Sequence, residues 1–200
     1  MFNKKLAIVG ASGAVGRVFI ELLDEMYPGT KDLFLVASKR SAGRSMFCGK
    51  QEFIIQDIEE FDFSQVEIAF FSAGAETAEK YAPIAVSKGC TVIDNSSQFR
   101  TDSDKPLIVP EVNSKDLINF KLPGIIANPN CSTAQLVVAL KPIHDLFKIE
   151  RVDVASYQSV SGTGKEGIDE LLEQTESFLN KKEIKPRVYG AQIAFIVIPA

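Results

Sequence analysis

Histidine occurs once in these 200 residues and cysteine three times. Cys48, Cys90 and Cys131 are too few and too widely spaced for a disulfide framework or a zinc site, whose ligands normally come paired in sequence. Cys48, in the turn-like "MFCGK", and Cys90, at a helix-to-strand junction, read as small buried hydrophobes. No dense lysine or arginine tract is present and the net charge is −4, so the electrostatic footprint of a nucleic-acid binder is missing. Any bound anion must be gripped locally. No stretch reaches the ~18 consecutive apolar residues of a membrane span. "MFNKKLAIVG" runs into a strand without the apolar region of a signal peptide, so a cytoplasmic location is expected. Repeats and low-complexity segments are also missing. What remains, at 46% hydrophobic residues, is a soluble globular chain of one large or two small domains.

Short apolar runs of strand length alternate with helical patterns. "KLAIVG" is followed by a glycine turn and "AVGRVFIELLDEM", which places Val15, Val18, Phe19, Leu22 and Leu23 on one helical face. "DLFLVAS", "EFIIQD", "VEIAFFSAG", "CTVIDNS" and "PGIIANP" are further strand candidates, and "AETAEKYAPIAVSKG" supplies a helix between two of them. Such alternation predicts a parallel sheet covered on both faces by helices. Near Asn128 the pattern changes to a helix after Cys131, which Pro142 should kink or end. A long strand, "IERVDVASYQSVSG", and a polar helix, "KEGIDELLEQTESFL", are expected next. The last ten residues, "AQIAFIVIPA", read as a buried strand with nothing after it to cover it, so the chain looks cut short.

"GASGAVG" places glycines at 10, 13 and 16, ahead of a helix and after a strand. Glycine lets a backbone approach a pyrophosphate, and a helix beginning near Gly13 points free N–H groups and its positive dipole end at the phosphates. Gly10, Ser12, Gly13, Ala14 and Val15 are the contact candidates. In an NAD binder a carboxylate at the end of the second strand holds the ribose 2′-hydroxyl. Here "LFLVASKRSAGR" has none; Ser38, Arg40 and Ser41 can instead hold a 2′-phosphate, which favours NADP. "FFSAGAET" offers Ser72, Gly74 and Thr77 at the end of a later strand, where the ligand crevice of such a sheet lies.

Cys131 stands in "IIANPNCSTAQLVVAL", where an extended run becomes helical. A helix entrance favours a thiolate, and its free amides can also stabilise an oxyanion. Spacing alone leaves Cys131 open between that role and an inert, buried one. Together, "GASGAVG", "SAG", "DNSSQFR", "VPEVN", "NPNCSTAQ" and "SYQSVSGTGKEGIDEL" resemble aspartate-β-semialdehyde dehydrogenase in order and approximate spacing, over essentially the whole chain. The resemblance implies that Cys131 is the nucleophile and that Gln158 orients the substrate or acyl intermediate. Arg100 matches an arginine that grips phosphate, with Asn130 as a second contact, and Gly162 and Gly164 match a loop near the nicotinamide. The implied fold is α/β, a Rossmann-like NADP-binding domain at residues 1–128 followed by the first part of an α+β substrate and dimerisation domain at 129–200. The implied reaction is NADP-dependent reduction of L-aspartyl-4-phosphate to L-aspartate 4-semialdehyde through a cysteine thioester, on the route to lysine, methionine, threonine and diaminopimelate. Small-molecule substrates and a homodimer or tetramer are the implied partners.

The family also uses a histidine as acid/base and an arginine on the substrate carboxylate, both downstream of the cysteine. His144 does not fit: 13 residues along a helix from Cys131, it lies ~20 Å away. Arg187, in "KPRVYG", reads as part of a polar connector, and Ile196 stands where the family usually has asparagine. The expectation is a truncated or partial enzyme of impaired activity. The alternatives are a non-catalytic remnant that binds dinucleotide or pairs with another subunit, and N-acetyl-γ-glutamyl-phosphate reductase, which shares the nucleophilic cysteine.

Overall fold

The computed structural model describes residues 4–199, in two compact units, Met1–Val152 and Asp153–Ala200. In the first unit seven strands form one sheet: β1 (Leu6–Val9), β2 (Leu33–Ala37), β3 (Ser45–Cys48), β4 (Gln51–Asp57), β5 (Ile68–Phe71), β6 (Thr91–Asp94) and β7 (Ile125–Ala127). Their order is β3-β4-β2-β1-β5-β6-β7, with every pair parallel except β3 and β4. The helices of this unit are α1 (Ala14–Met26), α2 (Ala75–Ser87), the single turn α3 (Pro110–Asn113) and α4 (Cys131–Phe147).

A parallel sheet with helices on both faces has no wet side, which is why its central strands β1 and β2 read as unbroken apolar runs, whereas the outer pair β3 and β4 leaves Phe47 and Ile54 exposed. Strand alternation divides them into two cores. Ala7, Val9, Ala69, Phe71 and Val92 pack on one face with Ala78, Ala82 and Ala85 of α2. Leu6, Ile8, Leu33, Leu35 and Ile55 pack on the other with Ile20 and Leu23 of α1. Burying each such Leu, Ile or Phe side chain contributes ~1.5–3 kcal/mol.

The buried line of α1 is Gly16, Ile20 and Leu23, whereas Val15, Val18 and Leu22, expected inside, are 47, 52 and 48% exposed. Close approach at Gly16 sets this rotation. A Cβ there would lie 2.4 Å from the Gly10 carbonyl oxygen, so only the glycine side of the helix can seat on the turn. Strand β3 was not expected: of "MFCGK", only Gly49 and Lys50 form the turn, and Cys48 is a buried strand end whose thiol faces the Ile20 carbonyl at 3.7 Å.

Helix α4 neither ends nor breaks at Pro142 but runs on to Phe147. A proline removes one intrahelical donor, and the carbonyl it strands belongs to Val138, which is exposed and open to water. The strand expected in "IERVDVASYQSVSG" does not form. Val152, Val154 and Tyr157 stand exposed, and no described strand offers them a ladder.

In the second unit, a 3-10 turn (Val160–Thr163) leads into α5 (Lys165–Leu179), the polar helix expected. Unusually, its buried positions include Glu170 and Gln174. The Glu170 carboxylate accepts the amides of Arg187 and Val188, and Gln174 Oε1 accepts those of Ile193 at 2.8 Å and Ala194 at 3.2 Å. Gln174 Nε2 donates to Glu170 at 2.8 Å, joining the two sites. The expected strand "AQIAFIVIPA" is therefore irregular backbone whose amides are taken by helix side chains, with Phe195, Ile196 and Val197 exposed; Ala200 lies outside the described residues.

Candidate active site

The sheet order reverses at β1: the chain moves outward through β2 and β4, then returns to add β5 on the other side of β1. Ligands of open α/β sheets bind at such a switch point, outside the carboxyl ends of the strands. Here the ends of β1 and β5 meet. Gly10 has φ +87°, and a Cβ on it would lie 2.5 Å from the Ser72 carbonyl oxygen, so glycine is required on both counts. Gly13 caps α1 without a side-chain bond, leaving the first amides of the helix facing outward, and no acidic residue stands in the first turn. A pyrophosphate fits such an end, since the backbone supplies donors and the helix dipole favours negative charge.

Ser12 Oγ donates to Ser41 Oγ at 3.1 Å, tying the glycine turn to the loop after β2. Ser41 is buried by that contact, while Ser38 and Arg40 are exposed and no carboxylate lies between Ala37 and Arg44. Arg40 can thus meet an anion from the solvent side. Ser72 and Thr77 are half-buried and Gly74, at φ +86°, is exposed at the entrance of α2.

Farther along the same edge, β6 and β7 end side by side, with Asp94 in register with Ala127. That register sets Asn95 beside Asn128, and Asn128 Nδ2 donates to Asn95 Oδ1 at 2.6 Å. Arg100 reaches back to both: Nε donates to the Asn128 carbonyl at 3.0 Å and Nη2 to the Asn95 carbonyl at 3.2 Å. A guanidinium has five N–H donors, so three remain for an anion. Beneath it Asp94 is fully buried, its carboxylate accepting the Ser96 amide at 3.1 Å and hydroxyl at 2.7 Å. Burial pushes the Asp94 carboxyl above its ordinary range, against the pull of Ser96 and Arg100.

Two residues past Asn128, Asn130 caps α4. Its Oδ1 accepts the Ser132 amide at 3.0 Å, the Ser132 hydroxyl at 2.6 Å and, more weakly, the Cys131 thiol at 3.9 Å. The capping oxygen is fully used, and Nδ2 is the end left for a ligand. Cys131 is exposed at the first position of α4, while Cys48 and Cys90 are buried, and burial pushes the Cys90 thiol up to about 12. Unbroken helix separates Cys131 from His144, so their ~20 Å spacing stands.

In the second unit Gln158 is exposed and folds over Gly162, where an added Cβ would meet its Nε2 at 2.2 Å. Gly164, at φ +90°, caps α5. The Tyr189 hydroxyl braces this turn, lying in hydrogen-bond contact with the Thr163 hydroxyl at 2.9 Å and the Val160 carbonyl at 3.3 Å. Arg187 pairs with Glu173, as a connector residue would. The first unit thus gathers the glycine turn, the Ser38–Ser41 loop, Arg100, Asn130 and Cys131 along one sheet edge; the second holds Gln158, Gly162 and Gly164 in one turn. Sequence reasoning passed over Asn95, Asn128 and Tyr189. Asn95 lies inside the quoted "DNSSQFR", but only the strand register reveals its partner.

The family described as "Semialdehyde dehydrogenase, NAD binding domain" matches residues 5–120, and "Semialdehyde dehydrogenase, dimerisation domain" matches residues 140–200. The chain belongs to the semialdehyde dehydrogenase family. A relative named aspartate-semialdehyde dehydrogenase, from Shewanella sp. (strain DB6705), is 54% identical over 195 residues, 97% of this chain and 57% of that relative. The chain thus spans little more than half the length of the relative it matches. Among solved structures of the family, aspartate semialdehyde dehydrogenase II from Vibrio cholerae, complexed with ASA, is similar at 50% identity and a TM-score of 0.91, covering 98% of this chain and 58% of that one. A more distant member, aspartate semialdehyde dehydrogenase with NADP from Candida albicans, aligns at 30% identity and a TM-score of 0.59 over 73% of this chain and 48% of its own. The resemblance drawn from the motifs is borne out, as is an α/β fold with a Rossmann-like dinucleotide-binding domain and a dimerisation domain. No described helix is long and apolar enough to cross a membrane.

Proposed function

We propose that this chain carries the NADP-binding and nucleophilic parts of an aspartate-semialdehyde dehydrogenase, with residues 1–128 as the cofactor domain and 129–200 contributing to the catalytic and dimerisation domain of a cytoplasmic homo-oligomer. The observation that carries the reading is the exposed Cys131 at the capped end of α4, three residues from a carbonyl that Arg100 holds. The residues at the switch point fit a dinucleotide. Gly10, Ser12, Gly13, Ala14 and Val15 would receive the pyrophosphate, with Ser72, Gly74 and Thr77 alongside. Ser38, Arg40 and Ser41 would take a 2′-phosphate, a choice favoured by the lack of a carboxylate there and by the NADP carried by the Candida albicans relative. Gly162 and Gly164 would flank the nicotinamide.

Arg100, with Asn130 Nδ2, holds the phosphoryl group of L-aspartyl-4-phosphate, because a planar guanidinium offers paired donors to a phosphate. Cys131 Sγ attacks the acyl carbon, a C–S bond forms, and the C–O bond to phosphate breaks to release inorganic phosphate. The reduced dinucleotide, when bound, supplies a hydride to the resulting thioester carbonyl. Gln158 orients that acyl group, and the developing oxyanion is met by amides at the start of α4. Collapse of the oxyanion breaks the C–S bond, frees the semialdehyde and returns the thiolate. The product feeds amino-acid biosynthesis toward lysine, methionine, threonine and diaminopimelate. No imidazole of this chain reaches Cys131, and general acid/base help is worth ~10²–10⁴-fold, so turnover by these 200 residues is expected to be slow.

The test runs the reaction in reverse on this chain. With L-aspartate semialdehyde and NADP⁺, the expected result is about one equivalent of NADPH per chain, accelerated by phosphate and absent in Cys131→Ala. NADPH binding without any reduction above Cys131→Ala would overturn the enzyme reading and leave a dinucleotide-binding remnant.

A further inference from the structure

Arg100 is gripped by two backbone carbonyls, which any residues at positions 95 and 128 would possess. Here both positions are asparagine, and their side chains bond to each other at 2.6 Å. We infer that the Asn95–Asn128 amide pair is a positioning device, clamping the ends of β6 and β7 so that the Asn95 and Asn128 carbonyls present the Arg100 guanidinium toward Cys131. This rests on the reading of Arg100 as the anion-binding group.

The geometry closes a ring. Asn95 N donates to the Phe71 carbonyl at 2.9 Å and Asn128 N to the Asp94 carbonyl at 2.8 Å, so each backbone is already held by its neighbouring strand. The Asn95 carbonyl is steadied further, since the N–H of the same peptide, on Ser96, donates to Asp94 Oδ1 at 3.1 Å, but the Asn128 carbonyl belongs to a peptide that ends on Pro129 and has no N–H to hold it. The amide pair supplies the constraint missing on the Asn128 side by tying it to the fixed Asn95 side, and Arg100 then spans both carbonyls through Nε and Nη2. Two of its donors are committed to the edge of the sheet, and three are left for an anion. Asn128 is three residues from Cys131, a reach of at most ~11 Å, so a small turn of the guanidinium changes the field at the sulfur. Glycine or alanine at these positions would keep the carbonyls but not their aim.

The experiment uses the 200-residue chain and its single exposed thiol. Cys131 is alkylated with iodoacetate, an anion, and with iodoacetamide, its neutral counterpart, and the ratio of the two rates is taken; it cancels the intrinsic reactivity of the sulfur and reports the positive charge beside it. Arg100→Gln should lower the ratio about fivefold, the scale of one charge pair in a water-washed site. Asn95→Ala and Asn128→Ala should each lower it by a large part of that factor although Arg100 is intact, and the double variant should be no worse than either single one, since both break the same bond. Circular dichroism checks that each variant is folded, and either single asparagine variant suffices if the other is not. A normal ratio in folded asparagine variants, with a fall in Arg100→Gln, overturns the clamp while sparing the phosphate reading of Arg100. An unchanged ratio in Arg100→Gln overturns both.

Discussion

At the scale of single residues, Gly10, Asn130 and the cysteines carry most of the chemical argument, and each answers to a different force. Gly10 is a steric necessity. Gly10→Ala places a Cβ 2.5 Å from the Ser72 carbonyl oxygen at a backbone angle L residues rarely adopt. It should cost at least ~1–3 kcal/mol, read as a lowered urea midpoint, and should weaken NADPH binding; an unchanged midpoint would contradict the close approach of β1 and β5. Asn130 is a cap, and Asn130→Ala should cost ~1 kcal/mol while Asn130→Ser, which keeps an acceptor, costs less. Cysteine behaviour separates by burial. At pH 7 a thiol reagent should modify Cys131 quickly and Cys48 and Cys90 only on unfolding, with Cys90 held back by a thiol pushed up to about 12. Peptide mapping after a short pulse reads this directly. The exposed position of Cys131 was not legible in "NPNCST", because free cysteine is as often a buried hydrophobe and only the folded helix end shows which side is open.

Elements were legible where the pattern was local. Helices α1 and α5 begin and end where their periodicity does, and the apolar runs of β1 and β2 are covered on both faces, whereas β4 alternates, with Phe53 and Ile55 buried and Glu52 and Ile54 exposed. The misread segments depend on partners elsewhere. "IERVDVASYQSVSG" is apolar enough for a strand but has no described strand beside it, and α1 is rotated by a contact at Gly16 that periodicity cannot register. The segment after α5 is held by Glu170 and Gln174, two polar residues that sequence reasoning assigns to solvent. Burial alone would push the Glu170 carboxyl up, but the amides of Val188, Arg187 and Tyr189 and the Arg187 guanidinium outweigh it and hold it below the usual range. A carboxyl lowered by folding stabilises the native state above its unfolded pKa of ~4.3, and that stability is lost as pH falls through the lower folded value. Thermal midpoints should therefore drop on acidification below about pH 4.3, and Glu170→Gln should flatten that slope while melting lower at pH 7. An acid limb of equal steepness in the variant would contradict the role of Glu170.

Across the whole molecule, a cofactor crevice was readable from strand, glycine turn and helix in succession, because each part is contiguous. The proposed NADP preference rests on a loop that exposes Lys39, Arg40 and Arg44 and carries no carboxylate between Ala37 and Arg44. Arg40→Ala should bring the affinity for NADPH down toward that for NADH, by fluorescence titration. The surroundings of Cys131, the proposed nucleophile, were legible only in part: Cys131, Asn130 and Arg100 are named by motif, but the network that joins Arg100 to the cysteine's turn runs through Asn95 and Asn128, 33 residues apart in sequence and brought together by strand register. The measurement that bears most directly on the whole account is the mass of the peptide containing Cys131 after the chain meets L-aspartate semialdehyde and NADP⁺ without phosphate. The account predicts an aspartyl thioester on that sulfur, removed by inorganic phosphate and absent from Cys131→Ser. An unmodified Cys131 peptide alongside NADPH formation would mean that the reaction proceeds without the nucleophile proposed here.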